Sequence, residues 1–189
     1  MTAFRVVVPA RYGSTRLPGK PLRLLAGRPM IEHVWRRARE SGAAEVLVAT
    51  DDERIASACR GFGATAGLTD PSHPSGTDRL AEVARLRGWA ADEIVVNVQG
   101  DEPLLRPANV AQVARLLAES PGCAIATLAT PVRSLDEFLD PNAVKVALAG
   151  DGRALYFSRA PIPWARDGAP AGLGSQGSYA HALRHVGLY

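Results

Sequence analysis

The sequence predicts an α/β protein built on a Rossmann-like, mostly parallel sheet with helices on both faces. Three observations predict it. Along roughly the first 130 residues, short apolar runs alternate with segments of helical period. Those runs are nearly continuous in Val, Ile, Leu and Ala rather than alternating with polar residues, as in strands buried on both faces. After about Val132 the rhythm changes, and two short runs flank a turn, which adds a smaller hairpin-containing subregion.

The elements follow in order. Phe4–Val8 reads as a buried strand. Met30, Ile31, Val34, Trp35 and Ala38 mark one helical face, which stops at Ser41-Gly42. "EVLVAT" is a strand, Glu53–Gly61 a helix and "ATAGL" a strand. "DPSHPSGT" is a loop that leads into a helix over Asp78–Arg87, with Leu80, Val83, Ala84 and Leu86 apolar. "EIVVNV" is a strand, Asn109–Glu119 a helix and "CAIATLA" a strand. "AVKVAL" and "ALYFSR" form a hairpin around Asp-Gly, Arg166–Ser178 reads as a mobile loop, and "HVGLY" reads as the inside of a strand.

The length of 189 residues suits one domain, or one domain with an appendage, and 47% hydrophobic residues allow a sizeable core. The 22 basic residues are 20 Arg and 2 Lys, mixed with acids to a net charge of +3. The isoelectric point of about 9.2 is the one feature that suggests RNA. No basic block or aromatic ladder accompanies it, which argues against nucleic-acid binding. Against the arginine habit Lys20 and Lys145 stand out, so a compact ammonium is expected to matter there. Cys59 and Cys123 lack ligand-like spacing, which argues against a disulfide framework or a zinc site and fits a reducing cytoplasm. No apolar run approaches the roughly 20 residues that span a bilayer, and Met1–Ala10 lacks the pattern of a signal peptide.

In open parallel sheets, ligands bind beyond the carboxyl ends of the strands. Three loops therefore matter. From Pro9 to Leu22 ("PARYGSTRLPGKPL") there is no acid, but there are three cations, Arg11, Arg16 and Lys20. Gly13 and Gly19 let main-chain amides approach an anion, Ser14 and Thr15 lie between them, and Pro18 and Pro21 stiffen the loop. It is not a Walker A loop, because five residues separate Gly13 from Gly19 and Lys20 is followed by Pro21. Its length and charge suit a triphosphate. The third loop, "QGDEP", sets Asp101 just past a buried strand, where it reads as a magnesium ligand or as the cap of a turn before Pro103. Glu102 reads as structural. The second loop, "HPSGTDR", offers Ser75, Gly76 and Thr77 before a helix. Thr77 is there either a helix N-cap or part of a loop whose amides and hydroxyls match a pyrimidine edge. His33 and His73 have no partner at metal spacing.

Six blocks then carry a resemblance: "VVVPARYGSTRLPGKPL", "HPSGTDRLAEV", "VNVQGDEPL", "NAVKV", "LYFSRAPIP" and "RHVGLY". Together, and in this order from Phe4 to Tyr189, they closely resemble the 3-deoxy-manno-octulosonate cytidylyltransferases, the CMP-Kdo synthetases. The resemblance implies a nucleotide-diphospho-sugar transferase type of fold. It implies one nucleotidyltransferase domain, with a CTP-binding core at 1–131 and a sugar-binding and dimerisation subregion at 132–189. It implies CTP as donor, Kdo as acceptor, Mg²⁺ as cofactor, and CMP-Kdo and pyrophosphate as products for lipopolysaccharide. It also implies a cytoplasmic homodimer without membrane insertion.

Residue by residue, the resemblance gives the triphosphate to Arg11, Lys20 and the amides around Gly13–Thr15, with Arg16 a second-rank candidate. Lys20, Asp101 and Arg11 form the expected catalytic set, and Asp101 the expected Mg²⁺ ligand. Ser75, Gly76 and Thr77 would read the base. Gln99, Arg159 and His185 would hold the sugar, with Arg159 on its carboxylate. His185 reads alternatively as a contact to metal-site groups or as a packed interface histidine, while Arg184 and Tyr189 read as structural, with Arg184 a second sugar-contact candidate. The family pattern continues past this sequence with a "GVDTPEDL"-like block, whose aspartate is the second carboxylate of the metal site. The chain is accordingly expected to be a C-terminally truncated form. The alternatives are a cytidylyltransferase for another acid sugar such as sialic acid, and a CTP-binding module without catalysis.

Overall fold

The computed structural model describes residues 3–13, 17–164, 179 and 181–189. The stretch 166–178, expected as a loop, lies outside the described residues, as do Ser14, Thr15 and Arg16. The elements are β1 (Arg5–Ala10), a 3-10 turn at Lys20–Leu22, β2 (Leu24–Leu25), β3 (Arg28–Pro29), α1 (Met30–Arg39), β4 (Glu45–Thr50), α2 (Glu53–Gly61) and β5 (Thr65–Leu68). They continue with α3 (Gly76–Leu86), β6 (Val95–Asn97), α4 (Pro107–Ala118), β7 (Leu128–Pro131), α5 (Leu135–Leu139), β8 (Lys145–Leu148), β9 (Ala154–Ser158) and β10 (Leu183–Val186). They form two compact units, Met1–Ala126 with Leu188–Tyr189, and Thr127–Gly187.

The first unit is a parallel sheet in the order β5-β4-β1-β6. Val6, Val7 and Val8 of β1 are fully buried, and each such side chain stabilises the fold by roughly 1.5–3 kcal/mol. Val7 packs with Leu47, Ala49 and the α3 residues Leu80 and Val83 on one face. Alternation sends Val6, Val8 and Ala10 to the other face, where α1 lies: Ile31 Cδ1 and Ala10 Cβ flank the same point beside Gly100. α1 buries Ile31, Val34, Trp35 and Ala38, as its periodicity predicts. It also buries Glu32, whose carboxylate meets Arg36 at 2.8 Å. The chain builds β1, β4 and β5 outward in one direction and then returns to the other side of β1 for β6. The strand order reverses between β1 and β6, and crevices of this kind bind ligands.

Pro9 makes that crevice. Arg5 N donates to Ile94 O, and Val7 O accepts from Val98 N, so the odd residues of β1 turn their main-chain groups toward β6. Pro9 falls in the same phase and has no N–H to give. The paired register with β6 ends at Val7 and Asn97. Beyond it Gly100 passes so close that a Cβ there would lie 2.7 Å from Pro9 O. Gly76, at the start of α3, closes on the other side of Pro9, where a Cβ would lie 3.3 Å from Pro9 Cγ.

The second unit is an antiparallel sheet in the order β7-β10-β8-β9. The expected hairpin is β8–β9, with Gly152 at φ 86° in its turn. Val132, Phe138 and Ala182 form its core with Leu135, Leu139 and Tyr179. The structure corrects one expectation. The strand read over "CAIATLA" begins only at Leu128, as β7, and pairs with β10 rather than with the parallel sheet. The run straddles the boundary between the units, so its two halves serve different structures, and Ile125 is exposed.

The contact at Gly100 yields a test. Gly100→Ala is expected to destabilise the protein by about 1–3 kcal/mol, the usual cost of forcing an extra carbon into a packed site. Denaturant unfolding of both proteins checks it, and equal midpoints would show that the β1–β6 approach is slack.

Candidate functional site

Three loops converge on Pro9. The first leaves β1 with Arg11, which is half-buried and donates from Nη2 to His73 O at 2.6 Å. The acid-free loop is thus tied to the second loop through a main-chain carbonyl. Gly13 is exposed, and a side chain there would meet nothing within 4 Å, so its main chain lies open. Gly19 is required: it sits at φ 68°, its N–H closes the loop on Tyr12 O at 2.9 Å, and a Cβ would press on the Tyr12 ring at 3.1 Å. Gly19 caps the 3-10 turn that begins with Lys20, and Pro21 is buried in that turn.

Lys20 and Asp101 meet. Their Nζ and Oδ2 atoms are 2.6 Å apart, with Asp101 about half exposed (51%). The turn around Asp101 is closed by main-chain groups, from Glu102 N to Gln99 O at 3.2 Å. A cation 81 residues away, rather than a cap of that turn, is therefore the partner of the carboxylate. Gln99 Nε2 donates to Asn97 Oδ1 at 3.3 Å, at the end of β6. Among the described residues no three His, Cys, Asp or Glu side chains cluster as a ready-made metal cage.

The second loop is held from α3. Ser75, not Thr77, is the N-cap: its Oγ accepts from Asp78 N at 3.2 Å and donates to Asp78 Oδ2 at 2.5 Å. The helix starts two residues before the expected Asp78, and Thr77 lies inside it with its hydroxyl 2.7 Å from the Tyr189 hydroxyl. Glu82 accepts from Asp70 N at 2.9 Å and pairs with His73 Nε2 at 2.6 Å. These contacts hold its carboxyl below the usual range. Arg79 is fully buried and clamps Thr69 and Asp51. Sequence reasoning missed Arg79, Glu82, Tyr12 and Arg54. Arg54 lies over the Tyr12 ring at 3.4 Å and is held by both oxygens of Asp52. The only local sign is the cap position of Asp52 before α2.

The second unit carries the remaining candidates. Arg159 is exposed and donates from Nη1 to Pro141 O at 2.8 Å. His185 lies on β10, with Nε2 2.8 Å from Thr127 Oγ1 and its ring edge-on to Phe157 at 5.0 Å. Arg184 pairs with Glu137 at 2.7 Å. His185 is thus in the antiparallel sheet and Arg159 just past the end of β9, and the two have different partners.

In the first unit, a strand-order reversal is lined by a cation-rich loop, a carboxylate and a helix N-terminus. These features suit an α/β protein that binds an anionic ligand such as a nucleotide. Residues 5–189 match the cytidylyltransferase family, and the chain belongs to it. A 3-deoxy-manno-octulosonate cytidylyltransferase of Halorhodospira halophila is 57% identical over 99% of this chain and 73% of its own length. One of Pseudomonas fluorescens is 55% identical over 100% of this chain and 74% of its own. A solved CMP:2-keto-3-deoxy-manno-octonic acid synthetase complexed with CTP superposes with a TM-score of 0.84 at 43% identity, covering 98% of this chain and 72% of that one. No helix of the described residues is long and apolar enough to cross a membrane.

Burial holds the His185 imidazole below its ordinary value of 6.5. The unfolded chain then binds a proton that the folded chain refuses, so this group lowers stability as pH falls through about 6.5 and has no effect above it. The depressed carboxyls, Glu82 among them, act only in a more acidic window. Between pH ~7.5 and ~5.5, His185→Gln is therefore expected to lose less thermal stability than the parent. Equal losses in both proteins would assign the acid sensitivity elsewhere.

Proposed function

We propose that the chain transfers the cytidylyl group of CTP to the anomeric hydroxyl of Kdo, giving CMP-Kdo and pyrophosphate for lipopolysaccharide. The family, the names of its relatives and a CTP-complexed structural neighbour support this reading. The observation that carries it is the meeting of Lys20 with Asp101 at the strand-order reversal.

The sugar oxygen bonds to the α-phosphorus, the bond from that phosphorus to the bridging oxygen breaks, and the hydroxyl proton is released. Arg11, Lys20 and the main chain near Gly13 hold the triphosphate, with Ser14, Thr15 and Arg16 proposed from sequence alone. Ser75, Gly76 and Thr77 read the cytosine. A preformed polar pocket rejects a base that leaves its groups unpaired. Gln99, Arg159 and His185 hold the acid sugar, with the Arg159 guanidinium on its carboxylate. Asp101 fits a magnesium ion, because it is an accessible carboxylate that already holds one cation, and magnesium needs one or two carboxylates with phosphate oxygens and water. When bound, the ion neutralises phosphate charge and acidifies the sugar hydroxyl.

Negative charge grows on the bridging oxygen as pyrophosphate leaves. A fixed ammonium there stabilises the transition state more than bound CTP. Pyrophosphate release that requires both CTP and Kdo tests the reaction itself. Lys20→Ala is expected to lose about 10²–10³ in kcat at saturating CTP. Lys20→Arg should recover only part of it, because a guanidinium is wider and more diffuse. A change confined to the KM for CTP would make Lys20 a general anchor and not a catalytic residue.

A further inference from the structure

Lys145, the second of the two lysines, is fully buried. It opens β8, and the proposed reaction leaves it without a role. Its Nζ donates to Asp140 O at 2.8 Å. Burial pushes the amine below its ordinary range, and the Asp140 carboxylate pulls the other way. Burying an ammonium opposes folding, and an apolar side chain of similar length would fill the same space without that cost. Packing alone does not explain a lysine at this position.

The hydrogen bonds lead to one turn. Asp140 Oδ1 accepts from Asn142 N at 2.8 Å and from Asn142 Nδ2 at 3.0 Å. The next carbonyl, Pro141 O, takes the Arg159 guanidinium at 2.8 Å. Lys145 is also the cross-strand partner of Ser158, whose Oγ accepts from Ala160 N at 3.0 Å. Arg159 therefore lies between Ser158, which is paired with Lys145, and Ala160, which is tied back to Ser158. Two cations hold adjacent carbonyls of one turn, the buried Lys145 and the exposed Arg159.

We propose that Lys145 is a positioning residue for Arg159. Holding the Asp140 carbonyl fixes the Pro141 carbonyl, and this sets the direction in which Arg159 offers its other N–H groups to the carboxylate of the sugar. The inference rests on the sugar-binding reading of Arg159, and the test separates the two.

Calorimetry would give the Kd of Kdo and of CTP for the parent, Lys145→Met, Asp140→Ala, Arg159→Ala and the Lys145→Met/Arg159→Ala pair. Lys145→Met is expected to weaken Kdo roughly tenfold, as loss of an outer partner of a ligating group does, and to leave CTP unchanged. Asp140→Ala, a surface change in the same turn, should weaken Kdo by less. On the Arg159→Ala background Lys145→Met should add nothing, because the group it positions is gone. If Arg159→Ala itself leaves Kdo binding intact, the sugar reading fails and the inference falls with it. If Arg159→Ala weakens Kdo while Lys145→Met and Asp140→Ala do not, Arg159 keeps its role and Lys145 has no part in positioning it. A Lys145→Met change that weakens both ligands alike marks a structural residue. Should that variant not fold, unchanged Kdo binding in Asp140→Ala overturns the proposal.

Discussion

The packing around Pro9 is the constraint on which the first unit depends. A proline in a central strand gives up a ladder donor, and in this strand the forfeited donor is the one that would have bound β1 to β6 beyond Val7. The strands part at the point where the strand order reverses. Two glycines then close on Pro9, Gly76 from the start of α3 and Gly100 from the loop after β6. Neither glycine has positive φ, so close approach and not backbone freedom explains each. Gly76 follows the Ser75 cap and Gly100 precedes Asp101, so both groups are carried by main chain packed on Pro9.

The Lys20–Asp101 pair shows what that placement does. Each charge stands where the proposed ligand of the other would be: the ammonium at the carboxylate that would take a divalent ion, the carboxylate at the cation that would take a phosphate. Asp101 without a cation repels a triphosphate, and Lys20 without an anion repels a metal. On the proposed reading, nucleotide and ion would be best received together, each releasing one partner of the pair. Two described residues of the first loop are held by other parts of the first unit. Tyr12 is gripped by Gly19 and covered by Arg54, and Arg11 is tied to the His73 carbonyl.

Much of this was legible in the sequence. The period of α1, the bounds of α2 and the apolar run of β1 are local signals, and each appears where its pattern places it. The acid-free loop and the carboxylate after β6 were readable as candidates, because charge composition and strand ends are also local. What could not be read depends on contacts between distant residues. Ser75 is the exception, because Ser75 and Asp78 stand at capping-box spacing and bond each other in the structure, a local signal that the hydroxyl of Thr77 obscured. The stacking of Arg54 on Tyr12 joins residues from different elements without a shared motif. "CAIATLA" is apolar enough for a strand, but apolarity does not say which sheet will use it, and the run is divided between two units. Composition singled out Lys145, while its burial and its turn emerged only from the fold.

On the proposed reading, Lys20 and Asp101 are two halves of one metal-triphosphate site. Calorimetric binding of CTP to Asp101→Asn, in EDTA and in saturating Mg²⁺, tests it most directly. Removing the carboxylate frees Lys20 and takes away a repelling charge. In EDTA the variant should therefore bind CTP more tightly than the parent, and the gain in affinity that Mg²⁺ gives the parent should largely vanish. Weaker binding in EDTA, or an undiminished gain with Mg²⁺, would contradict the claim.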